Sequence, residues 1–309
     1  MKHSKQKTNI PLLTIIIINW NGIDFLPNCL RSIKTNDRYS HYEIIIVDNG
    51  STDRSIDYIK LNYPKIKIIK NLKNQGFAKA NNQAINASKS DYYFFLNNDT
   101  EVFNDWLDQS VSIAQSDSKI GIVGSKIYYM DGNIQYMAGI RFPLKGVKNL
   151  PFIKYIITKW AEKHDCIMTV RNIQGSAFLV KREVFNTIGL FDEGFFIYGE
   201  EGDLCYRARG AGFKVMYNPH SKVKHLSSGT SSKNSILSYF HRMKSDQRFT
   251  LLNFFLPRIF LHIIFGVSIA IVEAILHRRL SLLLRAYYEN YQQINEIKFK
   301  RTQRKKWFF

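Results

Sequence analysis

Three short apolar runs, each closing on Asn or Asp, constrain this chain more than any other feature. Residues 12–18 lead into Asn19, residues 43–47 into Asp48-Asn49-Gly50, and residues 92–96 into Asn97-Asn98-Asp99. The runs are too short for helices, are rich in Ile, Val and aromatics, and lack the polar alternation of a strand with one wet face. They read as strands covered on both faces. Helical signals lie between them. Leu26, Leu30 and Ile33 are at helical spacing in residues 24–34, Ser51-Thr52-Asp53 offers N-cap chemistry for a helix to about Asn62, and residues 77–88 read as a third helix. With a further strand at 66–69 the order is βαβαβαβ, which dictates an α/β doubly wound, mostly parallel sheet with right-handed crossovers. Such sheets bind ligands beyond the carboxyl ends of their strands, where these Asn and Asp clusters fall.

Beyond residue 100 the pattern is less regular. A helix over 105–114, a strand over 120–123, loops with short strands over 131–169, a strand over 169–180 around Gln174-Gly175-Ser176, helices over 182–188 and 203–211, and a strand near 213–217 are expected. Residues 249–276 are strongly apolar but broken by Asn253, Pro257-Arg258, His262 and Glu273. Their longest charge-free part, residues 259–272, has 14 residues, against about 20 for a spanning helix. Arg242, Lys244, Arg248 and Arg258 precede this part, and residues 277–309 hold nine Lys or Arg against Glu289 and Glu296. A single crossing would put one basic flank outside, against the positive-inside tendency. The expectation is an amphipathic, apolar helical hairpin lying on or dipping into an anionic membrane surface, with a buried helix of a soluble domain as the alternative. The chain then divides into a sheet-bearing domain, 1–250, and a membrane-associating helical hairpin with a basic tail, 251–309.

The net charge is +19, from 44 Lys and Arg against 25 Asp and Glu. It favours an anionic partner: nucleic acid, anionic lipid or a phosphorylated substrate. Cys29, Cys166 and Cys205 lie far apart, without metal-ligand spacing or an even count, which points to a reducing compartment. Lys2, Lys5 and Lys7 before an apolar stretch mimic a signal peptide, yet no small-residue cleavage site follows; Asn19-Trp20-Asn21-Gly22 reads as a strand end and a turn.

Four clusters could carry chemistry. Asp99 offers a hard carboxylate oxygen to Mg²⁺ or Mn²⁺ and Asn97 a neutral carbonyl oxygen, and an ion held there could grip a nucleotide diphosphate; a strand followed by an Asx turn is the plainer reading. Asn19, Asn21, Asp48, Asn49 and Asp53 form a second cluster, whose carboxylates can either accept the imide N–H of a uracil or thymine or cap the next helix. In Asn74-Gln-Gly-Phe-Ala-Lys-Ala-Asn-Asn82, Gly76 permits close backbone approach before a helix N-terminus, a setting for phosphate or ribose and also for an ordinary turn. Glu200, Glu201 and Asp203 crowd three carboxylates near a helix start. Like charges raise one another's pKa, which suits a general base, while acid–dipole capping explains the same pattern. His225 reads as a metal ligand or a surface histidine.

Taken in order, these blocks resemble family 2 glycosyltransferases of the GT-A fold, in particular their rhamnosyltransferase-like branch. The matching stretches are Ile15-Ile-Ile-Ile-Asn-Trp-Asn-Gly22, Ile45-Ile-Val-Asp-Asn-Gly-Ser-Thr-Asp53, Asn74-Gln-Gly-Phe-Ala78 with Asn81-Asn82, Leu96-Asn-Asn-Asp-Thr100, Gly175-Ser-Ala-Phe-Leu179, Gly189-Leu-Phe-Asp-Glu193, Glu200-Glu-Gly-Asp-Leu-Cys205 and His225. The resemblance spans residues 12 to about 250. It implies metal-dependent transfer of a sugar from a nucleotide diphosphate donor, with inversion at the anomeric carbon. It implies that Asp48 binds the base, with Asn19, Asn21, Asn49, Asp53, Asn74, Gly76, Asn81 and Asn98 around the nucleotide. Asn97-Asn98-Asp99 is the counterpart of the Asp-x-Asp metal motif, and His225 completes the metal shell for Mg²⁺ or Mn²⁺. Glu201 falls on the family's catalytic base, flanked by Glu200 and Asp203, while Gly175 and Asp192 lie beside the sugar of donor or acceptor. The chain departs from the pattern twice. Glu201 stands where Asp is usual, so a neighbouring acid is an alternative base, and Asn97 replaces the first acid of Asp-x-Asp. The processive Gln-x-x-Arg-Trp motif is absent, which favours single addition.

Other function classes compete. A nucleic-acid binder would explain the charge, yet no such motif appears and much of the charge sits in the tail. A nucleotidyltransferase that makes the sugar nucleotide should carry a Gly-rich loop with Lys or Arg after the first strand, and Asn19-Trp20-Asn21-Gly22 is not that. G-x-G-x-x-G, Walker and G-x-S-x-G motifs and Cys/His zinc spacing are absent. The apolar hairpin and basic flanks point to a polyprenyl-diphosphate-linked glycan acceptor at the cytoplasmic face of the membrane, and to no nucleic-acid partner. Sugar choice is expected to rest in residues 125–175.

Overall fold

A computed structural model describes residues 13–36, 38–141, 159, 163–226, 235–254, 257, 259 and 266–304. The N-terminal lysines, much of the apolar stretch before residue 266, most of residues 142–162 and the last two lysines lie outside the described residues.

The three apolar runs form adjacent strands. β1 (Leu13–Asn19) pairs in parallel with β2 (Tyr42–Asp48) and with β4 (Tyr92–Asn97), and β3 (Lys67–Lys70) extends β2. The register sets Asn19 opposite Asp48, and Ile18 opposite Asn97, so the polar strand ends share one edge. The sheet continues through β10 (Ala177–Lys181), β6 (Ile120–Tyr128), β11 (Lys214–His225) and β5 (Thr100–Val102). β10 runs antiparallel between β4 and β6, and β5 antiparallel to β11. The expected parallel order therefore holds for β3-β2-β1-β4 and for the β6–β11 pair. The antiparallel strand places residues 174–176 at the same edge, where the Ser176 carbonyl accepts the Asn97 N–H at 2.9 Å.

Both faces are covered, as the unalternating strands require. Leu13, Ile15 and Ile17 pack with helices α1 (Leu26–Thr35) and α4 (Trp106–Ser116), and α2 (Ser55–Asn62) adds Ile56 and Ile59. Ile16, Ile45, Val47, Tyr93 and Phe95 face the other way, against α3 (Phe77–Asn86), α5 (Arg182–Ile188) and α6 (Glu200–Gly210). Period-two side-chain alternation thus feeds two cores. In the middle the structure departs from the sequence reading. β6 reaches Tyr128, β11 is 12 residues long, and the strand expected over 169–180 is a two-residue piece, β9 (Met168–Thr169), then a turn, then β10. The short strands β7 (Ile134–Met137) and β8 (Ile140–Arg141) form a hairpin beside β6.

The C-terminal region is helical: α7 (Ser235–Asn253), α8 (Val267–Leu276), α9 (Leu280–Gln292) and α10 (Ile294–Arg304). The boundary expected at residue 250 falls inside α7. Phe195 of the sheet-bearing region, Leu252 of α7 and Ile297 of α10 share one buried cluster. Among the described residues no helix is long and apolar enough to cross a membrane.

Candidate active site

The edge made by the ends of β1, β2 and β4 is a network of side-chain amides. Asn19 Nδ2 donates to Asp48 Oδ1 at 3.2 Å and to Ser55 Oγ at 2.9 Å, while Asn98 Nδ2 donates to Asn19 Oδ1 at 3.0 Å. Gly22 lies against this pair: a Cβ there would stand 2.3 Å from both Asn19 Oδ1 and Asn98 Nδ2. Asn21, in the left-handed region at φ 50°, accepts from the Thr52 amide at 2.8 Å, and its own amide donates to Ser51 Oγ at 2.9 Å. Asp53 accepts from the Ile23 amide at 2.9 Å and from Ser55. Burial works against its charge, but the Ser55 hydroxyl and the Ile23 amide hold its carboxyl below the ordinary range. Asn21 and Asp53 thereby staple the loop after β1 to the loop after β2. Asp48 takes one further hydrogen bond, from the Ser51 amide at 3.1 Å.

Asn49 ties this edge to the start of α3, donating to Asn74 Oδ1 at 3.2 Å and to the Gly76 carbonyl at 3.1 Å. Gly76 has φ +84°, and a Cβ would meet the Phe196 carbonyl oxygen at 2.5 Å. The close approach that its lack of a side chain permits is therefore to Phe196, whose carbonyl accepts the Phe77 N–H. Asn82 clamps the 191–193 loop, bonding the Phe191 backbone through both amide atoms. Asn81 donates to the Phe77 carbonyl at 2.9 Å and keeps a buried Oδ1 without a partner.

Asp99 and His225 come together although 126 residues separate them: β11 runs beside β5 with His225 opposite Thr100. Asp99 Oδ1 lies 3.2 Å from His225 Nε2, and Asn97 Nδ2 lies 3.3 Å from the same nitrogen. His225 Nδ1 is 2.7 Å from Gln135 Oε1, whose only complementary partner is an N–H, so the ring presents Nε2 toward Asp99. Gln174 donates to the same Gln135 oxygen at 2.7 Å, and Gln135 Nε2 donates to the His225 carbonyl at 3.3 Å. One carboxylate oxygen and one imidazole nitrogen, buried, adjacent and braced from behind, make a donor set that suits a divalent ion. Among the described residues no three His, Cys, Asp or Glu side chains are placed to hold a metal unaided. The remaining ligands would come from Asn97, water or a bound phosphate.

The three clustered acids have three different settings. Glu200 is buried, and burial together with the charge of Glu201 holds its carboxyl well above the usual range. Glu201 is half-buried and lies over Gly175, its Cδ 3.4 Å from where a Gly175 Cβ would be. It is therefore the acid that reaches the sheet edge. Asp203 points the other way. It is fully buried, with Arg207 at 2.8 Å, Asn253 at 2.9 Å and Arg304 as partners, and those cations keep it charged despite burial. Asp192 is also withdrawn from the edge: Arg248 at 2.8 Å, Lys300 at 2.7 Å and Arg304 at 3.2 Å surround its carboxylate. Asp192 and Asp203 thus stand apart from the edge where the other candidate residues gather. Apart from Arg207, four residues from Asp203, the cations that bind them lie 56 to 112 residues away, beyond the reach of local pattern. Cys29 and Cys205 are buried, and burial pushes both thiols up to about 12, which removes them as nucleophiles.

Gln135 and Gln174 escaped the sequence reading as site residues. Gln135 sits in a short strand within an irregular stretch, and no local pattern links it to His225. The buried, unpartnered Gln174 Oε1 and Ser176 Oγ mark polar positions beside Gly175 that a hydroxyl-rich ligand would satisfy.

A family model described as Glycosyl transferase family 2 matches residues 14–189. The O-antigen biosynthesis protein RfbC of Myxococcus xanthus is 27% identical over 232 residues, 73% of this chain and 18% of that protein. The chain spans less than half the length of each of the first three curated relatives it matches. Among solved structures, GalNAc-T7 with UDP, GalNAc and Mn²⁺ superposes at a TM-score of 0.59 and 21% identity, over 79% of this chain and 48% of that one. A mannosyltransferase from Pyrobaculum calidifontis with GDP-Man and Mn²⁺ superposes at 0.58 and 14% identity, over 96% of this chain and 85% of that one. These likenesses establish the GT-A fold for the sheet and its helices.

Proposed function

The chain belongs to glycosyl transferase family 2, and from that premise we propose that it transfers a sugar from a nucleoside diphosphate donor to a glycan acceptor, with inversion. The observation that carries this reading is the convergence on one sheet edge of Asp48, the Asp99–His225 pair, and Glu201 over Gly175. The edge joins a base-binding side, a diphosphate side and an acid facing an acceptor. Asp48, oriented by Asn19, receives the nucleobase imide. Asp99 and His225, with Asn97, would hold Mg²⁺ or Mn²⁺, which when bound supplies positive charge to the leaving diphosphate.

Glu201 acts as the base. An acceptor hydroxyl attacks the anomeric carbon from the face opposite the diphosphate, its proton passes to the Glu201 carboxylate, and the C–O bond to the diphosphate breaks with the electron pair leaving on phosphate oxygen. Glu200 makes this workable. Burial and the neighbouring Glu201 push the Glu200 carboxyl well above the usual range, so Glu200 holds its proton more tightly than an ordinary carboxyl and adds less like charge beside Glu201.

The name of the Myxococcus relative supports cell-surface polysaccharide as the product class. We take dTDP-rhamnose or a UDP-hexose as donor and a polyprenyl-diphosphate-linked glycan as acceptor, at the cytoplasmic face of the membrane. Exposed Ile269, Val272, Ile275 and Leu276 on α8, with Leu284, Tyr288 and Tyr291 on α9, support a lipid surface as partner.

The test is a donor screen by thermal shift with Mn²⁺ or Mg²⁺, using dTDP-rhamnose, UDP-hexoses, UDP-N-acetylhexosamines and GDP-mannose, followed by turnover of Glu201→Gln. Metal-dependent stabilisation by one donor, with Glu201→Gln binding that donor normally and losing about 10²–10⁴-fold in turnover, is the expected result. No stabilisation by any donor would sink the transferase reading; near-normal turnover of the variant would sink the assignment of the base.

A further inference from the structure

We propose that Arg304, in the last helix of the described chain, is a positioning residue for the catalytic acid: its guanidinium clamps both ends of the loop that carries Glu201. The proposal rests on the reading of Glu201 as base.

The segment from Asp192 to Asp203 passes Phe195 and Phe196 and enters α6 with Glu200 and Glu201 in its first turn. Just before α6 it has two consecutive residues in the left-handed region, Tyr198 at φ 70° and Gly199 at φ 85°. A tyrosine rarely adopts that backbone and holds it only where the surroundings over-determine it. Arg304 supplies such a constraint. Its Nη2 is 3.2 Å from Asp192 Oδ2 at the start of the segment and 3.3 Å from Asp203 Oδ2 at its end, and its Nη1 bonds Asp203 Oδ1. A planar fork can hold two carboxylates at a fixed separation, which an ammonium cannot do. The same Nη1 donates to Asn253 Oδ1 at 2.8 Å, and Asn253 Nδ2 returns a hydrogen bond to Asp203 Oδ1 at 2.9 Å. Arg304 is only 7% exposed, so the contact is part of the interior.

Three neighbours reinforce the clamp. Arg248 and Lys300 share the Asp192 carboxylate, and Arg207 holds Asp203 while donating to the carbonyls of Ile188, Gly189 and Leu190. Among the described residues Arg304 alone bonds the carboxylates at both ends. Part of the tail's basic charge, expected to face lipid, is in this way turned inward onto the loop that carries the base. α10 is then a component of the catalytic apparatus, whatever the apolar face of α8 does.

The experiment uses the full chain, with UDP and Mn²⁺ as the binding probe and, for turnover, whichever sugar nucleotide of the screen above binds best. We expect Arg304→Met to keep the UDP–Mn²⁺ thermal shift and donor KM of the wild type while kcat falls about 10²-fold, the cost of misplacing a reacting group by about 1 Å. Arg304→Lys should recover only part of that loss, because it restores the charge and not the fork. Hydrogen exchange of peptides within 193–203 should quicken in both variants. If Arg304→Met does not fold, Arg304→Lys decides: wild-type kcat and exchange in that variant overturn the proposal. A parallel fall in kcat and UDP affinity would also overturn it, since general loss of structure predicts that and loop displacement does not. Glu201→Gln run alongside separates the two hypotheses, because an active Glu201→Gln refutes the base, whereas an inactive Glu201→Gln with fully active Arg304 variants refutes only the clamp.

Discussion

Glu200 and Asp203, three positions apart on one helix, titrate in opposite directions because their surroundings differ. Glu200 is buried beside another acid and rises; Asp203 is equally buried but faces two guanidinium groups and falls. The signs of their pH effects on stability follow. Asp203 and Asp192 ionise more readily folded than unfolded, so their contribution is complete above the ordinary carboxylate range, about pH 4, and is lost as the pH falls below it. Glu200 does the reverse: its contribution is complete below about pH 4 and is lost as the pH rises through its folded pKa. We therefore expect Glu200→Gln to raise Tm at pH 7–8 and to leave it unchanged near pH 4; a variant less stable at neutral pH would contradict this. Gln135 matters in another way, through the ring it orients. Gln135→Leu should leave Asp99 and His225 in place yet weaken Mn²⁺ binding about 10–100-fold, the usual cost of losing a second partner of a ligating histidine. Titration of the protein with Mn²⁺ alone measures it, and unchanged affinity would remove Gln135 from the metal site.

At the scale of elements, the site depends on loops held against one another. The junction of Gly76 with Phe196 is the clearest case, because it joins the start of α3 to the loop that leads into α6. Gly76→Ala forces a side chain into a backbone of positive φ and extended ψ, 84° and 171°, that is essentially reserved for glycine, at about 1–3 kcal/mol, and sets a methyl 2.5 Å from a carbonyl oxygen. We expect lower stability together with weaker UDP binding, since Asn49 donates to the carbonyl of the same residue. A stable Gly76→Ala protein with unaltered UDP affinity would show that the junction yields freely. The elements themselves were largely legible. β1, β2 and β4 and helices α1 to α3 follow from unalternating runs, helical spacing and turn chemistry. The direction of β10 was not, because period-two burial is the same in a parallel and an antiparallel strand. The extent of β11 was hidden as well, since its bulge between Asn218 and Lys222 breaks the apolar pattern just before the strand, still paired with β6, gains β5 on its other side.

Across the whole molecule, the C-terminal helices show two faces of opposite chemistry. One carries Arg248, Lys300 and Arg304 into the body; the other leaves Ile269, Val272 and Leu276 exposed on one stripe of α8. Replacing those three by Ser should abolish co-sedimentation with vesicles containing phosphatidylglycerol while leaving the UDP–Mn²⁺ thermal shift intact. Unchanged sedimentation would mean that this stripe does not meet lipid. The clamp and the stripe belong to the same helical unit, so the two tests also ask whether anchoring and positioning can be separated.

The order of strands and helices in the first hundred residues, the edge to which Asn19, Asp48 and Asn97 belong, and the family were decided by the sequence alone, because burial period and turn chemistry are local properties. Tertiary structure alone decided which acid of the Glu200, Glu201 and Asp203 cluster faces the edge, which glutamine orients His225, and where the basic tail spends its charge. Each of those outcomes depends on partners 50 or more residues away. A carboxylate's role is set by the dielectric and the charges around it, and those are assembled only when the chain has closed.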